Sequence, residues 1–197
     1  MSDGATMDII AALVPTGARV LDLGCGDGEL LALLQRSRGC SGYGIEIDDS
    51  NVLACVRHGV NVIQINLDEG LAMFADSSFD VVLQIDTLQN LRNAEVMLRE
   101  TARVGKTGIV AFPNFAHWPN RLSVLRGRMP VTRRLPYQWY DTPNIRVGTY
   151  RDFEVLARKN QLQLLDAFGL QEGREVRWLP NVRAATAVFK FRRGNHA

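Results

Sequence analysis

The chain has 197 residues, 46% of them hydrophobic and 22% charged, with a formal net charge of +2 at pH 7. That length and composition suffice to bury a sizeable core in one domain and exclude a disordered or fibrous chain. So small a positive excess excludes a general nucleic-acid footprint, and no apolar run is long enough for a membrane span.

In chain order, residues 7–14 (MDIIAALV) have helical apolar spacing that stops at Pro15, and lack the basic start and long apolar stretch of a signal peptide. Residues 19–23 predict a buried strand, 28–38 a helix and 42–45 a second strand, which together make one βαβ unit. The rhythm repeats with a helix over 49–58, an extended segment over 61–65, a strand over 79–85, a helix over 93–104 and a strand over 108–112. Between 113 and 149 it breaks: five of the seven prolines fall there, among aromatic and basic residues. A helix over 149–161 and strands over 163–168 and 185–191 close the pattern, with a frayed tail expected from Arg192. Alternating strands and helices predict an α/β fold: a doubly wound, mostly parallel, seven-stranded sheet with helices on both faces. One domain over 1–197 is expected, carrying an irregular aromatic and arginine-rich insertion at about 113–149. Cys25, Cys40 and Cys55 have no metal-ligand spacing, so no metal site is expected, and their odd number fits reduced thiols and a cytoplasmic location.

Residues 20–31 read VLDLGCGDGELL, which places Gly24, Gly26 and Gly28 between a strand and a helix at the carboxyl edge of a parallel sheet. Glycines there let a ligand approach the main chain beside a helix N-terminus. A dinucleotide fingerprint needs glycine where this chain has Glu29, and a diphosphate is repelled by Asp22, Asp27 and Glu29. A cationic ligand fits better, and S-adenosylmethionine (SAM) carries a sulfonium and an ammonium. Glu46 ends the second strand, where a carboxylate accepts both ribose hydroxyls, a role that dinucleotide sites share. Asn66 and the Leu67 N–H, after the third strand, are placed to read an adenine edge, and Gln84, Asp86 and Leu88 lie toward the methionine end. The expected cofactor set is Asp22, Gly24, Cys25, Gly26, Gly28, Glu46, Ile47, Asn66, Leu67 and Gln84, for SAM or S-adenosylhomocysteine. The plainer reading makes the glycines a tight turn and Glu46 a solvated acid. In order along the chain, these pieces resemble class I SAM-dependent methyltransferases.

The later segments FPNFAHWP (112–119), LRGRMP (125–130) and LPYQWYDTPN (135–144) resemble the MetW family of methionine-biosynthesis proteins, and the likeness runs from about residue 17 to 168. It departs at Ala116, where glycine is expected, and at Arg146-Val147-Gly148, where the family more often has His-Leu-Cys. The resemblance implies a role in methionine biosynthesis as the partner subunit of homoserine O-acyltransferase, in a heteromeric complex. Trp118, Tyr137, Trp139 and Tyr140 lie near Arg121, Arg126, Arg128, Arg133 and Arg134 in a segment suited to docking or to clamping a carboxylate. Against that stands a bland reading, aromatics filling a core beneath solvated arginines. The alternative function is a methyltransferase acting on a small carboxylate-bearing acceptor, with His117, Tyr140 and Asp141 as candidate bases. Methyl transfer from a sulfonium needs alignment more than a base, so the sequence leaves catalysis itself open. A dinucleotide-binding oxidoreductase is a third reading, opposed by the acidic loop; neither a nucleic acid nor a membrane is expected as a partner.

Overall fold

In a computed structural model the fold is described over residues 4–194. Eight strands form one sheet: β1 (Arg19–Leu23), β2 (Ser41–Glu46), β3 (Val62–Gln64), β4 (Phe79–Ile85), β5 (Gly105–Pro113), β6 (Leu162–Gln171), β7 (Arg174–Val176) and β8 (Thr186–Arg193). Their spatial order is β3-β2-β1-β4-β5-β8-β6-β7, parallel from β3 to β5, with β8 antiparallel to both β5 and β6. The order reverses between β1 and β4, and in such sheets the crevice at that switch point, beyond the carboxyl ends of the strands, holds ligands.

Helices cover both faces, as the alternation predicts. On one side α1 (Gly4–Ala12), α2 (Glu29–Arg38) and α3 (Asp49–Arg57) bring Ile10, Leu34 and Cys55 into one cluster with Val20, Leu83 and Ile109. On the other, α4 (Ala94–Val104) and α6 (Tyr150–Lys159) pack Leu98, Ala102 and Phe153 against Phe112, Phe189 and Phe191, with the Phe153 and Phe189 rings stacked 4.4 Å apart. The start of α6 is fixed by a capping box in which Thr149 and Asp152 satisfy each other's backbone N–H groups.

Three local features differ from the sequence expectation. The sheet has eight strands rather than seven, because Glu172 and Gly173, both at positive φ (50° and 71°), make a two-residue turn that folds β7 back on β6. Arg192 and Arg193 belong to β8, where Arg192 pairs with Gln163 and Arg193 with Leu162, so the expected fraying does not begin at Arg192. Residues 113–149 contain α5 (Trp118–Leu125), a helix whose spacing is hidden by Pro119 in its first turn, where proline is tolerated. A further short helix, α7 (Pro180–Arg183), precedes β8. Among the described residues no helix is long and apolar enough to cross a membrane.

The junction of β5, α5, α6 and α7 is held by one buried side chain. Asn114, 1% exposed, donates to the carbonyls of Ala184 (2.8 Å) and Asn181 (3.1 Å) and accepts from the N–H groups of Ala116 and Tyr150 (both 3.2 Å). Replacing it by alanine strands these groups in a buried site, each loss costing about 1 kcal/mol or more. Asn114→Ala is therefore expected to lose on the order of 3 kcal/mol of stability, measured by urea unfolding, whereas Asn181→Ala, which removes only an exposed bond, loses under about 1 kcal/mol.

Candidate functional site

The turn after β1 curls over the end of β2: the N–H groups of Gly24 and Cys25 both donate to the Ile45 carbonyl, at 2.8 and 3.0 Å. Its three glycines all have positive φ but meet different surroundings. A Cβ on Gly24 would lie 2.6 Å from Thr87 Oγ1, and one on Gly28 would lie 2.9 Å from Cys55 Sγ. A Cβ on Gly26 would meet nothing within 4 Å. Gly24 and Gly28 thus fit the loop to the protein, while Gly26 opens onto free space.

Glu46, at the end of β2, binds this loop directly. One carboxylate oxygen accepts from Gly26 N–H at 2.9 Å and the other from the N–H groups of Ile47 and Asp48 at 2.8 and 3.0 Å. Across the sheet, Thr87 Oγ1 donates to the Leu23 carbonyl at 2.8 Å and closes the turn from the β4 side. The crevice, about 250 Å³, is lined by Gly24, Glu46, Ile47, Asn66, Asp86 and Thr87, with Leu67 and Asn90 beside them. Asn66 Oδ1 accepts from Asp68 N–H, starting a single 3-10 turn (Leu67–Glu69), and Asp68 in turn accepts from Arg92 N–H at 3.0 Å.

Asp22 sits beneath the loop, paired in register with Gly44 and Leu83 and only 3% exposed. Burial, and then the charge of Glu46, push its carboxyl up to about 7. Burial also raises the thiols of Cys25 and Cys55, whose sulfurs lie 3.7 Å apart; among the described residues all three cysteines are free, and these two serve as packing beneath the turn.

Of the ten expected cofactor residues, Gly24, Glu46, Ile47, Asn66 and Leu67 line this crevice, and Asp22, Cys25, Gly26 and Gly28 lie in the end of β1 and the turn that follows it. Gln84 does neither. Its position on β4 turns it toward α4, where it is fully buried with its amide donating to Thr101 Oγ1, and Asp86 and Thr87 take the place expected for it. The reason is strand alternation: Leu83 and Ile85 pack on the α1–α3 side and Val82 on the opposite side, so Gln84 follows Val82. Nothing local in the sequence marks Thr87, because its partner, Leu23, is remote along the chain. Asp86 has φ 56°, a left-handed conformation that a side chain rarely takes, and this cannot be read from residue type.

The segment after α5 is anchored to the crevice rim. Thr132 and Leu135 pair backbone to backbone, making a short turn from which Arg134 Nη2 reaches Asp86 Oδ1 at 2.7 Å. The N–H groups of Ile145 and Arg146 both donate to the Gln89 carbonyl at 2.9 Å, and Arg146 Nη2 donates to the Arg92 carbonyl at 2.6 Å. Trp139 and Tyr140 nonetheless stay 72% and 71% exposed on its outer surface, edge to face with each other. Of the three candidate bases, Tyr140 and Asp141 are exposed and outside the crevice lining, and buried His117 lines a separate cavity.

The switch-point crevice, its glycine turn and the acid ending β2 define the fold as that of the class I SAM-dependent methyltransferases. Solved structures agree on the fold: SAM-dependent methyltransferases from Mesorhizobium loti (TM-score 0.70, 15% identity, 96% of this chain and 98% of that one) and Clostridium acetobutylicum (TM-score 0.71, 12% identity, 99% and 93%) superpose over nearly their whole lengths. The model of the family "Methionine biosynthesis protein MetW" matches residues 4–191, and the chain belongs to that family. A relative in Rhodopirellula baltica, the bifunctional methionine biosynthesis protein MetXA/MetW, is 36% identical over 94% of this chain. The chain spans 32% of that relative's length.

Proposed function

We propose that this chain binds SAM in the switch-point crevice and acts in methionine biosynthesis as the partner subunit of homoserine O-acyltransferase. The observation that carries the first part is Asp22, buried near the carboxyl end of β1, whose carboxyl is pushed up to about 7 by burial and then by the charge of Glu46, which lines the crevice. Two acids crowded beneath bare main chain cost free energy until a cation arrives, which suits a sulfonium or ammonium and disfavours a polyphosphate. Gly26 leaves the space open.

Asp22 beneath the loop and the main chain of Gly24, Cys25 and Gly26 would hold the amino-acid end, and Glu46 the ribose. Three N–H groups already fill three of roughly four acceptor positions on Glu46, so a ribose diol takes the free one and shares or displaces that of Gly26. Ile47, 60% exposed, offers an apolar face to the nucleoside, and Asn66 keeps its amide N–H groups for the adenine edge while its oxygen caps the following turn. Bound SAM would supply an electrophilic methyl group; the residues described here bind and orient it.

The partnership is supported by the Rhodopirellula relative, whose name joins MetXA and MetW in one chain. It is supported also by the exposed Trp118, Tyr137, Trp139 and Tyr140, residue types that anchor interfaces, on a segment tied to the crevice through Arg134. For SAM to regulate the complex, its affinity for the free and the assembled forms must differ. A pull-down of homoserine O-acyltransferase with the purified chain, with and without SAM, tests the proposal. Trp139→Ala with Tyr140→Ala is expected to weaken capture at least about 10-fold while SAM affinity stays within about twofold. No capture of the acyltransferase by the wild type in either lane overturns the partnership.

A further inference from the structure

Three acids, Glu46, Asp68 and Asp86, line the SAM crevice, and among the described residues that line it there is no lysine or arginine. Glu46 and Asp68 accept from backbone N–H groups, whereas Asp86 meets a cation: Arg134, in the turn after α5, places Nη2 2.7 Å from its Oδ1. The arginine and aspartate side chains are only 21% and 30% exposed, so salt and water screen this pair less than one on the open surface.

The two partners are not held alike. Asp86 takes a left-handed backbone (φ 56°), with its N–H on the Ala111 carbonyl at 2.8 Å and its own carbonyl accepting from Gln89 Nε2 at 2.8 Å and Asn90 Nδ2 at 3.3 Å. Such strain persists only where the surroundings over-determine it, and here they fix the carboxylate beside the crevice. Arg134 comes from an irregular segment on a long side chain, and its Nε is buried without a hydrogen-bond partner. An unpaired buried donor is a standing cost, relieved when the guanidinium swings out to water. The carboxylate is the fixed member of the pair and the guanidinium the movable one.

A cation that enters the crevice finds Asp86 already neutralised. Two cations at one carboxylate repel each other, and the movable one gives way. We propose that Arg134 is a resident counter-ion that a cationic ligand displaces from Asp86, so that filling the crevice frees the turn at 132–135 and the stretch bearing Tyr137, Trp139 and Tyr140. This rests on the reading of the crevice as a SAM site and gives that site a regulation. The bonds of Ile145 and Arg146 to the Gln89 and Arg92 carbonyls involve no crevice carboxylate, and they stay. By linkage, a partner protein that holds the segment in its freed position tightens SAM by the same factor with which SAM favours that partner.

Calorimetric titration of SAM into the full chain, its Arg134→Gln and Asp86→Asn variants and the double variant measures the coupling. Arg134→Gln is expected to bind SAM about 10-fold more tightly than the wild type, and in the Asp86→Asn background the same change is expected to alter affinity less than about twofold. A second measurement uses the wild type alone, so that no folding defect of a variant can enter: brief trypsin digestion with the cuts located by mass spectrometry. Saturating SAM is expected to speed cleavage after Arg134 at least about fivefold relative to cleavage after the exposed Arg128, since proteolysis follows the population of the opened form. Equal or weaker SAM binding by Arg134→Gln overturns the displacement, and so does cleavage after Arg134 that SAM leaves unchanged or slows; in either case SAM binding by the wild type stands. A wild type that binds no SAM sinks the SAM site itself, and this inference with it.

Discussion

Asp22→Asn should bind SAM about 100-fold more weakly than the wild type at pH 8 and yet be the more stable protein in its absence. In the free protein the Asp22 carboxyl keeps its proton up to about pH 7, whereas in the unfolded chain it releases it near the ordinary aspartate value of 3.8. Between those limits the folded state holds one proton more than the unfolded state. Stability contributed by this group is therefore complete below the unfolded value and is lost as the pH rises through the folded one, at about 1.4 kcal/mol per pH unit. Over that window the loss is on the order of 4 kcal/mol, and asparagine, which is nearly isosteric and cannot ionise, escapes it. Urea unfolding of the free proteins at pH 5 and pH 8 is expected to show a larger loss in the wild type than in the variant.

Binding shows the same linkage from the other side. A cationic ligand prefers the ionised Asp22, so wild-type affinity should fall up to about 10-fold for each pH unit below the folded value, and the variant should lack this dependence on Asp22. Its overall loss of affinity at pH 8 corresponds to about 2.7 kcal/mol, within the range of a hydrogen bond to a charged group. Calorimetric titration at pH 6 and pH 8 decides the matter: equal pH dependence in wild type and variant would remove Asp22 from the site.

The glycines of the turn give the second large effect, because they separate folding from binding. Gly26→Val places a side chain where the free protein has open space, so its cost to folding is the left-handed backbone alone, about 1–2 kcal/mol. It fills the cradle, and SAM affinity should fall below detection. Gly24→Val suffers the same backbone strain and in addition drives into Thr87, already 2.6 Å from the first added carbon, so it should lose well over 3 kcal/mol and the closing bond to Leu23 with it. Thermal unfolding and titration of both variants distinguish the roles. A Gly26→Val protein that folds and still binds SAM would place the ligand elsewhere.

Ordered hydrophobic periodicity made the framework legible. The strands of the parallel half alternate with helices whose apolar faces must be buried, and the boundaries of β1 and β4 coincide with those predicted. The strand–glycine–helix turn was legible for the same local reason: positive φ at Gly24, Gly26 and Gly28 is written in the residue type. Asp22 and Glu46 could be placed because Asp22 is the last residue but one of β1 and Glu46 ends β2. The likeness of the later segments to the MetW family was visible too, though not what they do: Asn114 in FPNFAHWP joins β5 to the elements that follow it, by bonds spanning up to 70 residues.

What the sequence by itself determined was the alternation of strands and helices through β5, the glycine turn at the carboxyl edge of the sheet and the acidic character of its surroundings, all set by neighbours a few residues apart. Tertiary structure decided that Gln84 turns to α4, that Arg134 crosses to Asp86, that Thr87 closes the loop, and that His117 faces a cavity of its own. These contacts join residues 17 to 64 positions apart, or elements from opposite ends of the chain, and local propensity carries no information about which distant partner a side chain will meet.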